Sequence, residues 1–399
     1  MQASLLKNPR LDRILDSLMP LLAVILALLV GAVMLILMRA DPIKAYQSLW
    51  DGAFGSKNAV SDTVIKATPL LLVGLGICIA FRGGVINIGG EGQMIVGGLI
   101  TVALGLKYKN ADPGIMIPTC LVASFAAGMA WGGIAGVLKA YFNVNEILST
   151  IMLNQIAALS MMYLVRNQFI DPRQKQSAAP IPETERLSRA LDLPRMGDWL
   201  DKIYRWLGLS HYGTTTWSTT LLHIGILIAI VLAVVVYIFL WRTTVGYRIR
   251  AVGQNPRASR YAGIPVKPYM VLSLALSGGF AGLAGGIQVL GVRHRMNAEG
   301  GGIAFTGNAG FNGIVAALFG KLHPLGTIPA SVLFGALLVG GNKLQRSVQV
   351  PSSLITALIG LVIVFVVSSD IFVRRRTRRR VSVGDSEGAP RKAEVEASP

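Results

Sequence analysis

Cysteine and histidine are scarce in this chain, and so are charges. Two cysteines and four histidines occur in 399 residues, and only 15% of residues are charged, against roughly 25% in soluble domains. Cys78 and Cys120 both lie inside apolar runs, where a cysteine behaves as a small buried residue, so a disulfide framework is excluded. His211, His223, His294 and His323 are scattered without metal-ligand spacing, and no metal site is expected. No G-x-x-x-x-G-K-[ST], H-E-x-x-H or G-x-S-x-G occurs, which leaves no P-loop and no familiar hydrolytic centre. Catalytic residues are accordingly expected to be absent. Acidic residues are also few, 20 against 38 Lys+Arg, for a formal net charge of +18.

Apolar sequence is abundant. Hydrophobic residues make up 52% of the chain and the mean hydropathy is +0.56, the composition of an all-α integral membrane protein. The basic excess could suggest nucleic acid, but its placement argues against it. Six Lys/Arg fall within 374–380, directly after an apolar run, and six more within 242–268, between two apolar runs and with no acid among them. Short basic loops of this kind remain on the cytoplasmic side of a membrane. No nucleic acid is expected as a partner; membrane lipid is.

A crossing needs about 20 mainly apolar residues. Candidate spans are 20–39, 64–81, 84–105, 115–138, 147–165, 218–241, 269–291 and 353–372. The stretch 303–342 reads as two short pieces around the turn Lys321-Leu322-His323-Pro324. That makes about ten transmembrane helices, some short or glycine-broken, with both termini on the same side. The first span follows a basic segment and has no A-x-A cleavage site, so it reads as a retained signal-anchor. Parity assigns 1–18 to a cytoplasmic N-terminal segment and 19–372 to a transmembrane domain. Residues 373–399 form a basic cytoplasmic tail, disordered by composition.

Within 19–372, residues 166–217 are expected as an external cap. This segment carries eight Lys/Arg and six Asp/Glu, near balance, which makes it the one loop that strains the charge rule. Its pieces "LSRALDLP" and "DWLDKIYRWLGL" suggest short interfacial helices, and Trp199, Trp206 and Trp217 would suit the membrane surface.

Two polar intrusions interrupt the apolar runs. "NIGGEGQ" (87–93) and "FTGNAGFNG" (305–313) both set glycine and amides at the mouth of an apolar run, one in each half of the chain. Paired glycine-interrupted segments point to a substrate site in transporter folds, although glycine also serves close helix packing in membranes. A carboxylate at the bilayer centre costs at least about 2.5 kcal/mol, so Glu91 must face protein or water. Candidate pathway residues are Asn87, Glu91, Gln93, Asn154, Asn308 and Asn312. For Glu91 two roles stay open, a lining group of the path or a hydrogen-bonded pin between helices.

The loop 242–268, "GYRIRAVGQNPRASRYAGIPV" included, holds the other candidate site. Asn255 suits an N-cap, Pro256 the first helical position and Gly263 the left-handed position after the helix. The reading is a two-turn helix over 256–262 between glycine joints, exposing Arg257, Arg260 and Tyr261. So short a helix is marginal alone. A soluble partner docked on it is the sharper reading, and a loop resting on anionic lipid is the bland one.

Four stretches, "FRGGVINIGGEGQMIVGG", "VNEILSTIMLNQIA", "GYRIRAVGQNPRASRYAGI" and "FTGNAGFNGIVAALFGKLHPLG", together resemble the permease subunits of ATP-binding cassette importers. The likeness is to the simple-sugar and nucleoside branch, beside the branched-chain amino acid permeases, and spans roughly residues 60 to 345. It implies a multi-pass protein of the bacterial inner membrane, not an enzyme, forming the path for a nucleoside or simple sugar. The implied partners are a second permease subunit (the same or a paralogous chain), a cytoplasmic ATP-binding cassette ATPase and an extracytoplasmic substrate-binding lipoprotein. No cofactor would be bound by this chain, since ATP is used by the ATPase. Residues 255–263, with Asn255, Pro256, Arg257, Arg260, Tyr261 and Gly263, would be the cytoplasmic coupling helix. The rival reading from composition is an ion-coupled secondary transporter of a small polar solute, which would want more intramembrane carboxylates than Glu91 alone.

Overall fold

The computed structural model describes residues 25–177, 181–206 and 217–349, with isolated positions between 351 and 365. The expected span 353–372, the segment 1–18 and the tail 373–399 lie essentially outside the described residues. The chain divides into two units, Met1–Pro42 with Val350–Pro399, and Ile43–Gln349. The first contributes the apolar helix α1 (Ile25–Leu37).

The second unit holds α2 (Pro42–Phe54, whose first residue is the last of the other unit), α3 (Lys57–Arg82), α4 (Gly90–Lys107), α5 (Pro113–Phe142) and α6 (Glu146–Asn167). After a single turn α7 (Pro172–Lys175) come α8 (Gly197–Trp206), α9 (Gly225–Arg242), α10 (Thr244–Gln254) and α11 (Pro256–Tyr261). The chain then continues through α12 (Val266–Gln288), α13 (Gly301–Thr306), α14 (Ala309–Phe319) and α15 (Pro324–Val348). Among the described residues, six helices are long and apolar enough to cross a membrane: α3, α5, α6, α9, α12 with its continuation to Arg293, and α15, while α1 and α14 are shorter apolar helices.

Capping chemistry fixes many of the boundaries. Ser56, Asp112 and Asn145 accept backbone N–H groups at the starts of α3, α5 and α6, satisfying donors that the first turn leaves orphaned. Asn143 ends α5 in the left-handed conformation, which asparagine tolerates better than most residues.

α12 is the buried centre. Its glycine face lies against α5 and α4 with backbone on backbone. A Cβ at Gly278 would meet the Gly128 carbonyl oxygen at 2.3 Å, one at Gly282 the Ser124 oxygen at 2.3 Å, and one at Gly285 the Met94 oxygen at 2.0 Å. Apolar burial drives no association where lipid is equally apolar. These contacts supply dispersion and close backbone approach in its place, and small residues are what permit them.

Beyond Gln288 the helix widens into a π turn, Val289–Arg293, and ends at left-handed His294. The segment 182–193 docks on it. Thr184 N–H donates to the Met296 carbonyl (2.9 Å), Leu187 N–H to that of His294 (2.9 Å) and Leu193 N–H to that of Leu290 (2.9 Å). Asp192 lies 2.9 Å from Arg186 and 2.8 Å from His294.

This docking alters one expectation. "LSRALDLP" forms only the three-residue turn Arg189–Leu191, because Leu187 and Leu193 spend their N–H groups on other segments and Pro194 has none to give. The piece "DWLDKIYRWLGL" does form a helix, α8. Trp199 and Trp206 are exposed on it, whereas Trp217 is buried with its backbone N–H on Asp201, so Trp217 is not a surface aromatic.

Overfilling the α12 crossing should be costly. Gly282→Val should lower stability by about 1–3 kcal/mol, read as a lower unfolding midpoint in detergent. Gly133→Ala, where a Cβ meets only Ala275 at 3.8 Å, should leave the midpoint unchanged.

Candidate functional site

α3 runs unbroken to Arg82, but the span expected over 84–105 does not begin as a helix. Gly84 is left-handed (φ +73), 85–88 have no regular structure, Gly89 turns (φ −80, ψ 7), and α4 starts at Gly90. A Cβ on Gly90 would meet the Val73 side chain at 3.3 Å. Nine residues of α3 separate Val73 from Arg82, so α4 begins about 13 Å inside the bundle from that end.

The second half is broken at the same depth. Gly307 and Asn308 are both left-handed and separate α13 from α14. The start of α14 meets the start of α4: a Cβ on Gly310 would lie 2.4 Å from the Glu91 backbone nitrogen. Two helix N-termini, each carrying unpaired N–H groups and partial positive charge, therefore abut inside the bundle.

Neither half-helix caps itself. Gly89 at the N-cap of α4 has no side chain, and Asn308 at the N-cap of α14 makes no capping hydrogen bond. Both caps come from other helices. Glu91, in the first turn of α4, accepts Gly310 N–H at 2.7 Å and Phe311 N–H at 3.3 Å through Oε1. Asn154 of α6 accepts Gly92 N–H at 2.8 Å and donates to the Ile88 carbonyl at 3.0 Å. Asn87 and Gln93 form a reciprocal amide pair at 2.9 and 3.1 Å. Asn87 also donates to Ser277 of α12 (2.8 Å) and accepts Gly89 N–H (2.8 Å).

The six residues expected along one path thus divide. Asn87, Glu91, Gln93 and Asn154 come together as a buried lattice, at 0, 6, 1 and 8% exposure, with most of their hydrogen-bonding capacity used inside the fold. Asn308 lies just beyond it and is exposed, and Asn312 is half-buried. Phe311 (44% exposed) and Ile303 (59%) share that open flank. For Glu91 the hydrogen bonds favour the pin. Sequence reasoning missed Ser277 and the backbone donors Gly310 and Phe311. Gly89, with no side chain to cap the helix that follows it, was the available signal, but it does not say which helix supplies the cap.

The residues of the loop 242–268 stand apart, at the end where α10 meets Arg82. The helix expected over 256–262 is present as α11, Pro256–Tyr261. Asn255 accepts Arg257 N–H (3.1 Å) and Ala258 N–H (3.0 Å). Gly263 is left-handed (φ +76), and Ile264 N–H closes on the Ser259 carbonyl at 2.9 Å. Arg257 and Arg260 are exposed, and Tyr261 is 95% exposed. The preceding glycine is no free joint: a Cβ on Gly253 would meet the Arg82 carbonyl oxygen at 2.0 Å.

Residues 59–367 match the family described as branched-chain amino acid transport system, permease component. The chain belongs to that family. It is 36% identical over 357 residues, 90% of this chain and 94% of the relative, to the guanosine ABC transporter permease protein NupP of Bacillus subtilis. The glucose ABC transporter permease protein TsgB13 of Haloferax volcanii is 30% identical over 358 residues, 90% of this chain and 88% of the relative. A second Bacillus subtilis protein, the guanosine ABC transporter permease protein NupQ, is 28% identical over 303 residues, 73% and 86% of the two chains. No solved structure matches. The chain is a permease of an ATP-binding cassette importer, a multi-pass protein of the bacterial cell membrane and not an enzyme. Nothing in these comparisons supports the ion-coupled alternative.

The trans caps can be tested by stability. Glu91→Ala strands the buried Gly310 N–H and should cost about 1–3 kcal/mol. Glu91→Gln keeps an acceptor oxygen and should cost less than half of that. Asn154→Leu removes an acceptor and a donor together and should be at least as damaging as Glu91→Ala. Unfolding midpoints of the purified variants in one detergent decide the order.

Proposed function

We propose that this chain forms half of the translocation path of an importer for nucleosides, guanosine-like purine nucleosides foremost, with simple sugars as the second substrate class. The observation that carries the substrate is the 36% identity over nine-tenths of the chain to a guanosine permease. The glucose permease at 30% keeps the sugar reading in play. Similarity to both NupP and NupQ of one organism supports a paralogous second permease chain as the partner across the path. ATP is bound and used by a separate cytoplasmic ATPase, and an extracytoplasmic lipoprotein delivers substrate to the cap 166–217.

In this reading both termini and the loop 242–268 are cytoplasmic. Asn308 and Asn312 face the path. An amide exposed at mid-depth is unfavourable against lipid, whereas water or a partner chain satisfies it. Asn87, Gln93, Glu91 and Asn154 hold the two broken crossings that shape that path. Specificity resides mainly in the lipoprotein, so the path needs no tight site.

The coupling helix is α11. An aromatic that is 95% exposed, on a six-residue helix capped at both ends, is suited to anchor in a groove of the ATPase. Truncating such an anchor costs about 2 kcal/mol, roughly thirtyfold in affinity.

Two experiments follow. Uptake by vesicles carrying the complete transporter and its lipoprotein, offered a panel of nucleosides, pentoses and hexoses, should show ATP-dependent nucleoside accumulation. Accumulation of hexose alone would move the assignment to the sugar class, and uptake driven by an ion gradient without ATP would refute it. Tyr261→Ala should insert normally yet lose most co-purified ATPase and uptake, with Arg257→Ala milder because rim charges mainly affect association rate. Wild-type ATPase recovery and uptake in Tyr261→Ala would rule out the coupling role.

A further inference from the structure

At the end of the bundle that carries the coupling loop, several helices converge on one indole. The guanidinium carbon of Arg82, the last residue of α3, lies 4.9 Å from the centroid of the Trp241 ring, and that of Arg250 in α10 lies 5.6 Å from it. Tyr237 stacks on the indole at 5.3 Å. His323 lies 5.1 Å from Trp241 and 5.3 Å from Tyr237. Burial first, and the Arg82 guanidinium second, hold the His323 imidazole below the usual histidine range, so it packs here as a neutral ring rather than a third cation. Arg82 also donates through Nε to the Leu322 carbonyl at 3.2 Å.

Beside this cluster the backbones touch. The contact of Gly253 with the Arg82 carbonyl is matched from the other side, where a Cβ on Gly84 would lie 2.8 Å from the Gly253 Cα. No side chain fits between α10 and residues 82–84.

What these contacts join is specific. Residues 82–84 open the unwound segment that leads to Glu91. Leu322 and His323 close the turn after α14, the half-helix whose N-terminus Glu91 caps. Two residues beyond Gly253, Asn255 caps α11. The stem of the exposed helix therefore contacts, at one place, the end of α3 from which one broken crossing leaves and, through Arg82 and Trp241, the end of the other. A loop that only rested on lipid headgroups would need neither connection.

We propose that Trp241, clasped by Arg82 and Arg250, is a positioning residue that transmits displacement of 255–263 to both broken crossings. The proposal rests on the coupling-helix reading above and adds the route inside this chain. Cation–π and stacking contacts weaken within a few ångströms, so the cluster shifts as a unit or comes apart, which suits a joint between rigid helices.

The complete transporter, with its ATPase and lipoprotein, is reconstituted with the wild-type chain, Trp241→Ala, Trp241→Phe or Arg250→Gln. Folded yield, co-purified ATPase, ATP hydrolysis and uptake are measured for each. Trp241→Ala should keep its ATPase and hydrolyse ATP, while uptake per ATP falls by roughly fivefold or more. Trp241→Phe, which retains an aromatic face, should recover most of the loss. Should Trp241→Ala fail to fold, Arg250→Gln decides, since it removes one clasping cation from a half-buried position and should lower uptake per ATP in the same direction. Unchanged uptake per ATP in a folded Trp241→Ala or Arg250→Gln overturns the proposal. So does loss of co-purified ATPase, which would make the cluster part of the docking surface. Normal ATPase recovery and uptake in Tyr261→Ala, measured alongside, would instead refute the coupling-helix reading, which keeps the two outcomes separate.

Discussion

Two helix N-termini that point at each other inside a membrane protein need an acceptor between them. Water is scarce there, each orphaned N–H costs a kilocalorie or more, and like partial charges repel. In this permease the acceptor is the Glu91 carboxylate, seated on Gly310 and Phe311 N–H of α14 from the first turn of α4. Asn154 of α6 does the same for α4. Capping thus passes from α6 to α4 to α14, and the two broken crossings are held by one chain of hydrogen bonds. The glutamate that looks out of place in "NIGGEGQ" is what allows the break.

The break also depends on close packing around it. Gly90 and Gly310 let the two starts approach, and the Asn87–Gln93 amide pair, tied to Ser277 of α12, fixes the unwound segment to a deeply buried helix. α12 in turn can occupy the centre only because its glycines meet α5 and α4 backbone to backbone. Next to this lattice, the amide left exposed is Asn308, at the start of α14. A permease that works as half of a path would keep polar groups on the side its partner faces and conceal the rest.

Much of this was legible in the sequence. Apolar runs of sufficient length located the six long helices among the described residues, and Asn255, Pro256 and Gly263 located α11 to within a residue, because local capping chemistry is written in neighbouring positions. The paired glycine–amide stretches marked both breaks. What could not be read was the assignment of each polar group. Asn154 and Asn308 are the same residue type in similar surroundings, yet one is a cap supplied across helices and the other is exposed. That difference is set by which helices lie side by side, over separations such as 62 residues for Asn154 and Gly92 and 219 for Glu91 and Gly310. The helix expected in "LSRALDLP" is absent for the same reason: Leu187 and Leu193 give their N–H groups to the His294 and Leu290 carbonyls, about 100 residues away in the chain.

The division between a buried lattice and an open flank is the central claim, and thiol accessibility tests it most directly. Single cysteines at Asn308, Glu91 and Asn154, in a chain whose Cys78 and Cys120 are replaced by alanine, are exposed to a membrane-impermeant maleimide in the assembled transporter. Asn308→Cys should react and be protected by transported nucleoside, while Glu91→Cys and Asn154→Cys in folded protein should stay unlabelled. Labelling of Glu91→Cys or Asn154→Cys at the rate of Asn308→Cys would contradict the account and return those residues to the path.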